Sequence, residues 1–198
     1  QPTAQFYRVN VDNRFPYHVY GGQQDNSSVA IASFGNGGIT WKDWYPVGGC
    51  ESAYTAFDPD DPRFVYAGCY MGIISEYDHR TAASRDIGVY PVLPAALQGR
   101  EMKYRYNWNA PIVASPHDPS AVYHASNVLV RTRERGMRWD EISPDLTRDE
   151  DEKQDYGGGP ITNEGAGGEI YGTIYYVIES EHEAGTIWTG SDDGLVHI

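Results

Sequence analysis

The sequence predicts an all-β fold made of repeated four-stranded antiparallel sheets. Four phrases share one pattern, in which a β-branched residue precedes an aromatic residue and small residues follow: they are residues 18–22, 64–68, 121–125 and 186–190. The 16 Tyr, 5 Trp and 22 Gly residues favour strands and turns over helices. The aromatic residue of the phrase recurs after 46, 57 and 65 residues. Four-stranded units that repeat about every 40–45 residues, here lengthened by insertions, are typical of β-propeller blades.

The first two units each read as an up-and-down meander of four strands. Tyr7, Val9 and Val11 fall on one face of a first strand, because side chains alternate along a strand. Short turns and one glycine-dense loop separate it from the strands that follow it, which are predicted at residues 17–24, 27–33 and 41–47. The second unit repeats this order, with strands predicted within residues 51–57, 63–69, 72–81 and 84–92.

The third unit repeats the order again, and the fourth ends without a fourth strand. The blades are predicted at approximately residues 5–47, 51–92, 106–146 and 171–198, with insertions at 93–104 and 147–168. A blade buries its faces against its neighbours, so about three and a half blades are not expected to close a ring. We therefore expect a partial β-propeller, a segment of a larger one; a sandwich of four-stranded sheets is the structural alternative. The start at Gln1 rather than Met also leads us to expect an interior or processed piece of a longer protein.

Two cysteines flank a predicted hairpin in the second unit. Folding residues 51–57 against 63–69 places Cys50 nearly opposite Cys69. Cross-strand neighbours have Cα atoms about 4.5–5.5 Å apart, within the range of a disulfide. Two alternatives remain open for these cysteines: a disulfide, or two unpaired and partly buried thiols.

Composition disfavours several classes of partner and cofactor. A formal charge of −13 disfavours nucleic acid and anionic lipid as partners. We expect no membrane span, because no apolar run approaches about 18 residues. The histidines and cysteines show no metal-ligand spacing, and the acidic run 149–155 lacks the alternation of a calcium loop, so neither a metal nor a cofactor is expected.

The loops before the fourth strands contain a recognisable motif. Thr132, Glu134, Gly136 and Trp139 fit the Asp-box (BNR repeat) pattern S-x-D-x-G-x-T-W, with Glu in place of Asp, and Asn36, Gly38, Thr40 and Trp41 fit it again. In such a turn we expect the acidic or amide side chain to cap backbone N–H groups. We expect the glycine to adopt a positive φ and the tryptophan to pack between sheets.

Longer phrases extend this resemblance over nearly the whole chain. They lie at residues 19–26, 106–119, 142–149, 158–167 and 185–198. With them the chain resembles the sortilin (VPS10) N-terminal type of Asp-box propeller found in uncharacterised bacterial secreted proteins. The resemblance implies an extracellular or periplasmic protein and a propeller larger than this chain. Asp boxes also occur in sialidases, xyloglucanase-like glycosidases and photosystem assembly factors.

Three polar stretches are candidates for ligand binding. They contain Gln24, Asp25, Asn107, Trp108, Asn109, Asn163 and Glu164. Amides and carboxylates with a tryptophan suit a glycan or a peptide, and we expect a non-catalytic binding module. The alternative for each stretch is that its side chains satisfy the backbone of glycine-rich turns.

Two further functions remain open. A carbohydrate-active hydrolase of the xyloglucanase-like kind needs two carboxylates about 5–10 Å apart, for which Glu164 and Glu169 are the candidates. The third possibility is a purely structural propeller that assembles with others. In each case the expected partners are the remaining blades, from the same propeller or from another chain.

Overall fold

The computed structural model describes residues 3–52, 54–92, 94, 97–156 and 170–198. Short strands dominate this part of the chain. They are β1 (Phe6–Val11), β2 (His18–Gln23), β3 (Ser28–Ala32), β4 (Tyr45–Pro46), β5 (Thr55–Ala56), β6 (Phe64–Gly68), β7 (Ile74–Asp78), β8 (Ala83–Asp86), β9 (Ile112–Ala114), β10 (Val122–Ala125), β11 (Leu129–Thr132), β12 (Asp140–Glu141), β13 (Ile174–Glu179), β14 (Ile187–Ser191) and β15 (Val196–His197). Single 3₁₀ turns occupy Trp41–Asp43, Tyr70–Gly72, Gly99–Glu101 and Asp151–Lys153.

The strands form four antiparallel sheets, each from consecutive strands. The sheets β1–β4, β5–β8, β9–β12 and β13–β15 are blades 1 to 4 of a β-propeller. The predicted all-β propeller fold is thereby confirmed. The structure has four blades. The fourth blade has three strands and, as its sequence predicted, lacks a fourth within the described part of the chain. No helix in that part is long and apolar enough to cross a membrane.

The aromatic residue of the repeated phrase lies at the interface with the next blade. Tyr20 of blade 1 packs with Phe57 and Val65 of blade 2. In the same way Tyr66 packs with Ile112 and Val122 of blade 3, and Tyr123 packs with Ile174 and Val177 of blade 4. Tyr20, Tyr66 and Tyr123 are only 0, 6 and 4% exposed. In blades 1 to 3 the repeated phrase therefore buries one aromatic ring against the following blade.

The inner strands of the blades converge near the propeller axis. The Arg8 guanidinium of β1 lies 5.0 Å from the ring centroid of Tyr54, just before β5, and 5.6 Å from that of Tyr175 in β13. Cys50 and Cys69 form a disulfide with a Cα–Cα distance of 4.9 Å, which ties the link between blades 1 and 2 to the end of β6.

The turn of blade 3 that holds the predicted Asp box is capped by threonine. Thr132 Oγ1 accepts hydrogen bonds from the backbone N–H groups of Glu134 and Gly136. Gly136 has φ +76°, and Trp139 Nε1 donates to the Ile87 carbonyl of blade 2 at 2.8 Å. The Glu134 side chain is exposed. The Thr132 hydroxyl, at the first position of the turn, therefore accepts the capping hydrogen bonds that were expected of the Glu134 carboxylate.

The turn of blade 1 that holds the second predicted Asp box differs in its packing. Asn36 lies exposed in the turn and Gly38 has φ +82°. Thr40 caps a 3₁₀ turn over Trp41–Asp43, where a strand was expected. The expectation that Trp41 packs between sheets is wrong, because its side chain is 80% exposed. Trp139 packs on the preceding blade, and among the described residues no blade precedes blade 1.

Candidate functional site

Strand direction brings two of the predicted polar stretches to one end of the propeller. In an antiparallel meander, the turn after the second strand and the link to the next blade lie at the same end. We call this the upper end. Gln24 and Asp25 lie in the β2–β3 turn, and Asn107, Trp108 and Asn109 lie in the link from blade 2 to blade 3. The third stretch, with Asn163, Glu164 and Glu169, lies outside the described residues.

Gln24 and Asp25 make contacts within the protein. Gln24 Nε2 donates to Glu51 Oε2 at 2.5 Å and to Asp25 Oδ1 at 2.8 Å. The backbone N–H of Asp25 donates to the same Glu51 oxygen at 2.8 Å. These bonds join the turn of blade 1 to the link that carries Cys50.

Trp108 lies between the upper loops of two blades. Its ring stacks on Tyr70, with ring centroids 5.6 Å apart and an interplanar angle of 15°. Asn107 Nδ2 donates to Thr173 Oγ1 at 3.1 Å, which joins this link to blade 4. The side-chain oxygen of Asn109 is buried and has no hydrogen-bond partner among the described residues.

A cavity of about 400 Å³ opens at the upper end, between blade 2 and the link to blade 3. This volume is within the range of about 300–1,000 Å³ that is usual for small-molecule sites. The wall of the cavity is mostly apolar and aromatic. It includes Met71, the residue that follows Tyr70 in the sequence. The lining includes Met71, Ile74, Val89, Tyr90, Pro91, Val92, Leu97, Met102, Tyr104 and Tyr106, with the charged residues Asp86, Glu101 and Lys103.

A half-exposed cation lies over two aromatic rings at the cavity. Lys103 Nζ lies 5.3 Å from the ring centroid of Tyr90 and 4.7 Å from that of Tyr104. It also lies 3.3 Å from Glu141 Oε1, which accepts the Tyr104 hydroxyl as well. Hydrogen bonds with Tyr104 and Glu141 raise the pKa of Lys103, and those from Tyr104 and Lys103 lower the pKa of Glu141. Both groups are therefore charged at neutral pH.

The floor of the cavity depends on a glycine and a stacked tyrosine. Gly72 has φ +73°, and a Cβ there would lie 2.3 Å from two ring carbons of Tyr106. Tyr106 stacks on His124 with centroids 5.0 Å apart. The ring nitrogens of His124 lie 2.9 Å from the Pro111 carbonyl and 3.2 Å from the Gly72 carbonyl. Burial lowers the pKa of His124, so the ring is neutral and donates to only one of these two carbonyls.

Arg105, next to the cavity, is saturated by internal partners. Its guanidinium donates to the Gly172 carbonyl at 3.1 Å, and it lies 2.8 Å from Asp145 and 3.0 Å from Asp149. The side chain is 5% exposed. Arg105 thus joins the start of the link to blade 4, at Asp145 and Asp149, to its end at Gly172. These contacts use its guanidinium N–H groups within the protein, so they are not available to a ligand.

Sequence reasoning found the Trp108 neighbourhood but missed the cavity beside it. Tyr70, Tyr90, Lys103 and Tyr104 were not candidates. The alternation of basic residues and tyrosines in residues 103–106, directly before Asn107, is the signal that could have found Lys103 and Tyr104.

Within the ranges that the structure describes, no group of three or more His, Cys, Asp or Glu residues is arranged to hold a metal ion. Comparison of the sequence with protein-family models found no match. Comparison with curated proteins found none either.

Proposed function

We propose that this chain is a non-catalytic recognition module of a secreted Asp-box propeller, and that its upper-end cavity binds a glycan or a peptide. The observation that carries this proposal is the cavity of about 400 Å³, in which the half-exposed ring of Tyr90 lies beside Lys103. A flat ring packs against the apolar face of a sugar or against an apolar peptide side chain. The Lys103 ammonium and the nearby carboxylates give polar partners to hydroxyl or amide groups.

Two features support the secreted location and the larger propeller that this proposal includes. The Cys50–Cys69 disulfide suits an extracellular or periplasmic location, because disulfides persist in oxidising compartments. The exposed Trp41 suits a propeller in which another blade covers this side of blade 1.

A glycan and peptide array on the intact chain tests the recognition proposal, followed by titration of any hit. We expect Tyr90→Ala to weaken binding roughly tenfold, since an aromatic contact contributes about 0.5–1.5 kcal/mol beyond its area. Tyr17→Ala is the matched control, because Tyr17 is as exposed as Tyr90, 48% against 46%, and lies in the β1–β2 turn. Absence of binding across the array, or equal affinity of both variants, would contradict the proposal.

One observation favours a carbohydrate-active hydrolase as a second candidate. Asp86 and Glu101 both line the cavity, and a glycosidase needs two carboxylates beside the scissile bond. Release of reducing ends from xyloglucan and related glucans tests this candidate. We expect any such activity to disappear in both Asp86→Asn and Glu101→Gln. Activity that survives both substitutions would exclude this pair as the catalytic groups.

A further inference from the structure

Two exposed carboxylates at the upper-end cavity lack a cationic partner. Asp86, at the end of β8, and Glu101, in the 3₁₀ turn Gly99–Glu101, both line the cavity. Neither takes part in an ion pair among the described residues. The residues outside the described ranges contain no Lys, Arg or His. No basic side chain of the 198 residues therefore neutralises these two carboxylates.

The charge of Lys103, the cation that lines the cavity, is already neutralised. Its Nζ lies 3.3 Å from Glu141 Oε1, and a hydrogen bond with Tyr104 holds it as well. The charges of Lys103 and Glu141 cancel, which leaves those of Asp86 and Glu101 without compensation. The formal charge of −13 on the chain has the same sign, so the surrounding field also attracts a cation to this end.

The wall of the cavity suits the stem of a long basic side chain. Met71, Val92 and Leu97 contribute apolar surface, and the ring of Tyr90 is 46% exposed. Lysine and arginine bury their methylene stems along apolar surface and keep the charged head beside polar groups. A neutral ligand would leave both carboxylates without a counter-charge, and an acidic ligand would be repelled by them.

We propose that the cavity binds a peptide segment in which a lysine or arginine side chain is next to an apolar side chain. This inference rests on the proposed recognition function and narrows its ligand from a glycan or a peptide to a basic peptide. The stem and the apolar neighbour pack on Tyr90 and the apolar wall, and the charged head pairs with Asp86 and Glu101. A cavity of about 400 Å³ has room for a few side chains, which fits a short linear segment.

Titration calorimetry of the 198-residue chain with three blocked peptides tests the proposal. The probes are acetylated, amidated Ala-Leu-Lys-Leu-Ala and the same peptide with Gln or Glu in place of Lys. We expect the lysine peptide to bind several-fold more tightly than the glutamine peptide, and the glutamate peptide to bind most weakly. The affinity for the lysine peptide should fall as salt rises from about 0.05 to 0.5 M, because salt screens exposed ion pairs.

Substitutions at the two carboxylates separate charge from shape. We expect Asp86→Asn and Glu101→Gln each to weaken binding of the lysine peptide roughly two- to fivefold, the size of an exposed ion pair, without weakening binding of the glutamine peptide. Glutamine at position 101 keeps an oxygen that can accept the Gln98 N–H, now 3.0 Å from Glu101 Oε2. Tyr90→Ala should weaken both peptides alike, because the ring contacts the apolar part that they share.

Glu183→Gln is the matched control for the charge of the whole chain. Glu183 is exposed in the β13–β14 turn, at the end of the propeller opposite the cavity, and makes no ion pair among the described residues. Its substitution removes the same charge as Glu101→Gln. We expect the affinity for the lysine peptide to stay unchanged.

Several results would overturn the preference for a basic peptide. They are equal affinity for the three peptides, tighter binding of the glutamine or glutamate peptide, no loss in Asp86→Asn and Glu101→Gln, or an equal loss in Glu183→Gln. Binding of a glycan with no binding of any peptide would also overturn it, and would leave the recognition function intact. Absence of every ligand would overturn both. The salt dependence of the unsubstituted chain carries the test if a variant unfolds.

Discussion

Gly136 and Gly38, the glycines of the two predicted Asp-box turns, allow the packing of one blade on another to be measured separately from the strain of the turn itself. Gly136 and Gly38 occupy the same motif position and have φ +76° and +82°. A Cβ at Gly136 would lie 2.4 Å from Ile87 Cβ and 2.8 Å from Ile87 Cδ1 of blade 2. At Gly38 nothing lies within 4 Å. Substitution by alanine therefore imposes the same backbone strain at both positions and adds a steric clash at only one.

The magnitudes follow from these two contributions. The left-handed conformation costs an alanine about 1–2 kcal/mol. Alanine in place of glycine also lowers the conformational entropy of the unfolded chain, which offsets about 0.4–1 kcal/mol of this cost at both positions. Overpacking against Ile87 adds about 1–3 kcal/mol at Gly136 only. We expect Gly38→Ala to lower the free energy of unfolding by about 1 kcal/mol and Gly136→Ala by roughly 2–4 kcal/mol.

Urea denaturation of both variants beside the unsubstituted chain measures this difference. The midpoint should fall further for Gly136→Ala while the slope with denaturant stays the same, because the surface exposed on unfolding is unchanged. Equal losses for the two variants would refute the reasoning. They would mean that the turn of blade 3 does not pack on Ile87.

Three other predictions concern the cavity, its histidine and the disulfide. Gly72→Ala should displace Tyr106 and abolish binding of any ligand found for the cavity. Gly38→Ala should retain binding, because Gly38 has a similar φ of +82° and a Cβ there meets no atom within 4 Å; equal affinities would contradict this. Burial lowers the pKa of His124 below its ordinary 6.5. As the pH falls, the unfolded chain therefore binds a proton before the folded chain does. The free energy of unfolding then decreases from about pH 6.5 down to the folded-state pKa. His124→Gln should make that fall shallower between pH 7 and 5 in urea titrations, and an unchanged slope would exclude the histidine as its source. Replacing both Cys50 and Cys69 by serine should cost about 3 kcal/mol of unfolding free energy, because the bridge closes a loop of 19 residues; a loss near zero would show that it does not constrain the unfolded chain.

The sequence predicted what depends on short-range patterns. Alternation and the repeated phrase placed Tyr20, Tyr66 and Tyr123 in equivalent strands, because both patterns follow from the geometry of a single sheet. The same strand directions put Gln24 and Asn107 at one end of the propeller. These features need no knowledge of how the blades pack on one another.

Features that depend on a neighbouring blade were not predictable in this way. Trp41 and Trp139 have the same motif, yet one is 80% exposed and the other donates a hydrogen bond to Ile87. The cavity was missed because the link from blade 2 to blade 3 has no hydrophobic period. Its shape comes from contacts such as that of Tyr106 with His124, which only the folded chain brings together.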